Sequence, residues 1–135
     1  MAERILFPDA AAAVIGALNA QLPALGFTGV PVRSRVPSTR PARFVLVFRT
    51  GGPRVSVVTD AAQLTIEAWA SSDAEAHDIA QATRAIVGGL EGTVTGGVTV
   101  YGINEFSGPA YLPDPQSDQS RFTWTTSVAT RGVAA

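Results

Sequence analysis

The 135-residue chain has no cysteine, no lysine and a single histidine, His77. Without thiols, a disulfide framework, a thiolate zinc site and a cysteine nucleophile are excluded, and the fold must stand on packing alone. Without an amine side chain, neither a Walker A phosphate loop nor a Schiff-base mechanism is available. Any Ser-His-Asp arrangement or histidine-based metal site would have to be built on His77. Its neighbours Asp73 and Asp78 suggest a ligand cluster only superficially, because residues i and i+1 do not face each other and one imidazole among surface carboxylates is a weak transition-metal site. A solvated helix face is the expected role, and no metal or cofactor is expected. Uninterrupted apolar runs are also short. None reaches the roughly 18 residues of a membrane span, and the stretch within MAERILFPDA is too brief for a secretory leader, so a soluble, unprocessed chain is expected.

Length fits one domain over residues 1–135, which would bury roughly two-thirds of its extended surface on folding. All ten cations are arginine, a bias that, with abundant alanine, matches a GC-rich genome. Net charge is only -1, but residues 10–59 hold six arginines and no acid, whereas residues 60–118 hold nine acids and one arginine. Two readings stand: the halves pair internally within one domain, or a basic flank of one subunit meets an acidic flank of the next.

Asp9 is placed to cap a helix over residues 11–22, with Val14, Leu18 and Leu22 on one stripe, stopped by Pro23 and Gly26. Residues 30–36 alternate apolar with arginine, but Pro31 withholds a ladder donor, which favours a sheet edge or an arm. Residues 37–42 read as loop. Residues 43–49 (RFVLVFR) form a continuous apolar run that suits a central strand covered on both faces. The turn at residues 50–53 and the run RVSVVT then predict a β-hairpin. Residues 63–70 alternate, with Leu64, Ile66, Ala68 and Ala70 on one face and Thr65, Glu67 and Trp69 on the other. For Trp69 the alternatives are burial under the following helix or exposure as a subunit-contact anchor. Ser72 and Glu75 form a capping box for a long amphipathic helix over residues 73–90. Glycines at 88–97 lead to a strand over residues 98–105, a proline-punctuated loop over 106–120, a last strand over 121–130 and a frayed tail. The fold class expected is α+β: a mostly antiparallel sheet of about four to six strands, with one long helix packed on it and a shorter N-terminal helix.

The candidate sites are thin in chemistry. Asp60, Glu67, Glu91 and Glu105 lie on separate elements. Asp114 and Asp118 lack EF-hand spacing, and Pro113-Asp114-Pro115 reads as a turn. Phe44 and Phe48 interleave with arginines, yet they sit in a run that reads as buried, so sequence-specific DNA recognition is not expected.

Glu67-Ala68-Trp69-Ala70 before the long helix, Glu75-Ala76 and Arg84-Ala85-Ile86 within it, Gly108-Pro109 and Leu112-Pro113-Asp114 in the late loop, and Arg121-Phe122 opening the last strand carry a resemblance. In length and element order the chain resembles the tail terminator proteins of long-tailed, siphovirus-type phages. That resemblance implies a non-enzymatic virion protein at the head-tail junction, made in the bacterial host cytoplasm. It implies a ring, expected as a hexamer, that ends tail-tube polymerisation and joins the tail to a head-completion or stopper protein. DNA would pass through the lumen without sequence-specific binding, and no membrane is involved. The family supplies no catalytic residues. Candidate subunit or partner contacts are Arg33, Arg35, Arg40, Arg43, Arg49, Glu67, Trp69, Tyr111, Asp114 and Asp118, in the basic segment and the late loop. A stopper or adaptor, or a small α+β enzyme or ligand-binding domain, are the competing readings.

Overall fold

The structure, a computed structural model, describes residues 3–135. Its elements are β1 (Ile5–Leu6), α1 (Ala10–Gln21), a 3-10 turn (Leu22–Leu25), β2 (Val32–Arg33), β3 (Phe44–Gly51), β4 (Thr59–Ala70), α2 (Asp73–Gly88), β5 (Val94–Thr95), β6 (Val98–Tyr111), β7 (Ser120–Arg131) and β8 (Val133–Ala134). Six strands form one sheet in the order β2-β3-β4-β7-β6-β5, and β1 pairs with β8 in a separate ribbon. The fold is α+β as expected, but the sheet is mixed because β2 runs parallel to β3.

Sequence explains the layers. On β4, Ala62, Leu64, Ile66, Ala68 and Ala70 point to one face and are fully buried. Register places Phe122, Trp124, Thr126 and Val128 of β7 opposite Ala68, Ile66, Leu64 and Ala62, so these share the helix-covered face. Ala76, Ile79, Ala80, Thr83, Ile86 and Val87 of α2 close over them. The Asp9 carboxylate accepts from Ala12 N (3.0 Å) and starts α1, and Ser72 Oγ accepts from Glu75 N (3.2 Å) and starts α2. The Glu75 side chain is engaged by Arg43 at 3.6 Å, so Ser72 supplies the realised half of the capping box. A buried polar relay ties α2 to the sheet: Trp124 Nε1 donates to Thr83 Oγ1 (3.1 Å), which donates to Ala80 O (2.7 Å).

Three expectations are corrected. The strand returning from the hairpin is β4 itself, with Phe44 opposite Trp69 and Arg49 opposite Leu64, not RVSVVT. Residues 54–58 form an irregular connection with Val55 and Val57 exposed. Only glycine fits where that detour begins: at φ +93°, a Cβ on Gly52 would collide with Ala61 O, and Pro53 has no N–H to extend the ladder. Secondly, residues 106–111 continue β6, and only 112–119 are loop. Pro109 is tolerated because this part of β6 pairs with β7 alone, and register shifts at residues 100–102, 105–107 and 107–110 absorb the irregularity. Thirdly, the tail is ordered by pairing: Val133 opposes Leu6, and Ala135 N donates to Arg4 O (2.7 Å).

Candidate functional site

The face of the sheet turned away from the helices carries Phe44, Leu46 and Phe48 of β3, Thr65, Glu67 and Trp69 of β4, and Arg121, Thr123 and Thr125 of β7. Phe44, Leu46 and Trp69 form a second, small apolar cluster. Phe44 and Trp69 stack at 5.2 Å with their planes 14° apart. Over this pair lie two guanidinium groups, Arg40 at 5.2 Å and Arg121 at 5.1 Å from the Trp69 ring. Trp69 is only 4% exposed, so the contact-anchor alternative does not hold for the isolated chain. Nor does the following helix bury it: strand alternation sends Trp69 to the opposite face, and its cover is arginine and phenylalanine. RFVLVFR is thus covered on one face by helices and on the other by side chains.

Both arginines are fixed. Arg40 Nη1 donates to Gln119 Oε1 (2.9 Å), and Gln119 Nε2 donates to Pro41 O and Ala42 O (3.0 Å each), joining the 37–42 and 112–119 loops. Arg121 Nε donates to Leu112 O (2.7 Å) and stands 3.8 Å from Glu67. Asp114 accepts from Gln116 N (3.2 Å), the expected turn. Hydrogen bonds from Ser117 and then Gln116 hold its carboxyl below the usual range. Asp118 and Tyr111 are exposed, the latter tilted against Phe122 at 5.5 Å.

Of the proposed basic flank, Arg43 and Arg49, like Arg40, belong to the subunit's own structure. Arg43 donates to Thr28 O and stands 3.6 Å from Glu75. Arg49 makes a bidentate contact with Asp60 (2.7 and 3.0 Å) and also donates to Gly51 O (2.8 Å) and Gly52 O (3.0 Å). The hydrogen bond with Asp60 raises the Arg49 pKa further. Arg33 and Arg35 are exposed and have no carboxylate within ion-pair distance among the described residues. Both charge readings therefore describe part of the molecule, internal pairing for Arg43 and Arg49 and an open basic edge for Arg33 and Arg35.

Two features escaped the sequence reading. Arg84 of α2 grips Glu105 of β6, with Nη2 2.8 Å from Oε2, and this bond holds the Glu105 carboxyl below its usual range. Only the register of β6, which no pattern gave, brings them together. The other is a set of exposed aliphatic residues at one end of the sheet, Leu6, Val55, Val57 and Val133. His77 is exposed and meets Phe122 edge-on at 5.4 Å. A depression of about 600 Å³ forms an open groove between α1 and the β5 turn, lined by Ala12, Ala13, Gly16, Ala20, Val94 and Gly96 among others. Its carboxylate, Asp9, is already spent on the helix cap. No helix among the described residues is long and apolar enough to cross a membrane.

No family model and no curated protein sequence matches the chain. A solved structure does share its fold. A chain from "Virion of native gene transfer agent (GTA) particle" superposes with a TM-score of 0.62 over 91% of this chain and 95% of that one. Identity is 18%, so the likeness is one of fold.

Proposed function

We propose that this chain is a structural protein of a phage-like particle, a tail terminator whose 135 residues act as one domain in a ring, expected to be hexameric, at the head-tail junction. The observation that carries the reading is the near end-to-end match of fold with a chain of the gene transfer agent virion. The motifs around Trp69 and in the late loop, which resemble tail terminators, support it independently. The chemistry supports it too: most of the charged groups described above, Arg40, Arg43, Arg49, Arg84 and Arg121 among them, hold elements together, and the groove beside α1 has no convergent set of acids, bases or donors of the kind catalysis requires. In this reading the ring caps the last tail-tube ring on one side, meets the head-completion protein on the other, and lets DNA pass without reading its sequence.

The test is genetic and microscopic. Particles made without this chain should carry tubes of uncontrolled length and fail to join heads, and gold-labelled antibody should mark the head-tail junction of complete particles. Normal tails in its absence, or its absence from purified particles, would overturn the proposal.

A further inference from the structure

Both lateral edges of the six-stranded sheet, β2 on one side and β6 beyond the two-residue β5 on the other, are partly closed by the chain's own side chains. At β2, the Asn19 amide takes both outward groups of Val32, donating to its carbonyl and accepting from its N–H at 3.1 Å each. At β6, the Glu91 carboxylate accepts from Ile103 N (3.1 Å), and Pro109 and three register shifts interrupt the strand beyond. Such edges resist the addition of a further strand.

Exposed apolar side chains also occur singly along these edges, Val94 on β5 and Phe106 on β6, but they are grouped beside charge at the two ends of the strands. At one end the β1–β8 ribbon and the 53–58 connection are held together, with Gly132 N donating to Val58 O (2.7 Å) and Arg54 lying over the Phe7 ring at 5.4 Å. There Leu6, Val55, Val57 and Val133 are 61, 60, 64 and 63% exposed. Around them stand Arg4, Arg54 and Arg131, all exposed and none paired with a carboxylate among the described residues; Arg54 donates to Ser56 O (3.2 Å) and Val57 O (3.0 Å), and Arg131 to Tyr101 Oη (2.9 Å), so neither charge is neutralised. The opposite end presents Tyr111 and Leu112, 49 and 50% exposed, followed by Asp114 and Asp118, which likewise have no cation within ion-pair distance among the described residues. Arg40 and Arg121, whose charges act on Asp114 after the hydrogen bonds from Ser117 and Gln116, are folded inward over Trp69.

We infer that these ends are the two halves of a head-to-tail contact between copies of this chain, the arginine-rimmed aliphatic end of one subunit receiving Tyr111, Leu112 and the acidic loop of the next. The inference rests on the ring reading and gives it an interface. One end is apolar with a positive rim and the other is apolar with a negative rim, the complementarity that selects a partner and fixes its orientation. The contact is heterologous, so it yields a finite object only by closing on itself.

The experiment uses the full chain in four forms, followed by native mass spectrometry and sedimentation, with circular dichroism as the folding control. They are wild type, Arg54→Glu with Arg131→Glu, Asp114→Arg with Asp118→Arg, and an equimolar mixture of the two variants. Each variant alone should self-associate at least about tenfold more weakly than wild type. The mixture should recover assembly as an alternating oligomer, since each native end finds a native partner and the two reversed ends match one another. Val57→Asp, which changes apolar contact at the same end, should weaken assembly and should not be rescued by the Asp114→Arg, Asp118→Arg chain. Variants that assemble like wild type, a folded mixture that does not recover, or a wild-type chain still monomeric at about 100 µM would overturn the inference. The ring reading would then still stand or fall on the particle experiment, which does not depend on which surfaces meet.

Discussion

Replacing Arg49 by methionine separates the two readings of the basic segment, because it removes the charge while keeping a side chain of similar length. In the folded chain Asp60 is buried, its side chain 6% exposed, and Arg49 is 39% exposed. Four hydrogen bonds disappear together: two to the Asp60 carboxylate and two to the carbonyls of Gly51 and Gly52, which fix the turn at the end of β3. Leaving a fully buried charge without its partner costs about 3–5 kcal/mol. Water already reaches part of this guanidinium, so the expected loss is about 2–3 kcal/mol, a large fraction of the roughly 5–15 kcal/mol that holds a domain together. In urea titrations followed by circular dichroism, the midpoint should fall at unchanged slope. The double variant Arg49→Met with Asp60→Leu removes both charges. It should recover most of the loss, giving a coupling energy of about 1–3 kcal/mol. A single variant within about 0.5 kcal/mol of wild type, or a double variant as unstable as the sum of the singles, would refute the assignment of Arg49 to the fold.

Thr83→Val keeps shape but leaves Trp124 Nε1 without its acceptor in a fully buried position, so a loss of about 1–3 kcal/mol is expected in the same titration, and a neutral result would show the indole N–H finding another partner. The pH dependence of the Arg84–Glu105 pair has a definite sign. The folded pKa of Glu105 is depressed, so the pair's stabilisation is fully present above the unfolded value of about 4.3 and is lost as pH falls through the folded value. The stability difference between wild type and Glu105→Gln should therefore be largest near neutrality and vanish in acid; a difference that grows on acidification would contradict the pairing.

What the sequence made legible was set by periodicity and caps. Period-two alternation at residues 62–70 and 122–128 and the 3.6-residue stripe from Ala76 to Val87 each have one buried face, which leaves a single consistent arrangement. The errors fall where one pattern has two physical causes. RVSVVT alternates like a strand, but Gly52 needs a backbone that no side chain could follow, and the valines it sends outward are exposed. Residues 106–111 look like loop because of Gly108 and Pro109, yet an edge strand with register shifts accommodates both. Alternation sends Trp69 to the face away from the helices, but its cover comes from Arg40 and Arg121, which lie far apart in sequence and are brought together where two loops meet through Gln119. For the same reason the charge asymmetry between the halves could not be divided in advance into pairs and open charges. Arg49 finds Asp60 only because the hairpin closes where it does, and Arg54, five residues on, meets the carbonyls of Ser56 and Val57 and the Phe7 ring but no carboxylate among the described residues.

That division bears on how an assembly of such subunits would be controlled. If the arginines that hold the fold were also those that join subunits, loosening a contact would loosen the fold, and exchange of subunits would expose buried charge. Here the two groups differ: Arg43 and Arg49 meet carboxylates within the chain, whereas Arg4, Arg54 and Arg131 meet none among the described residues and rim exposed aliphatic surface. A contact made by the second group is screened by salt over a Debye length of about 8 Å at physiological ionic strength, while the partly buried Arg49–Asp60 pair is screened much less. Raising salt should therefore separate copies before it unfolds them, so sedimentation and circular dichroism recorded along one salt series would show dissociation of folded subunits. Simultaneous loss of both signals would mean that the same charges serve fold and assembly, contrary to the geometry around Asp60.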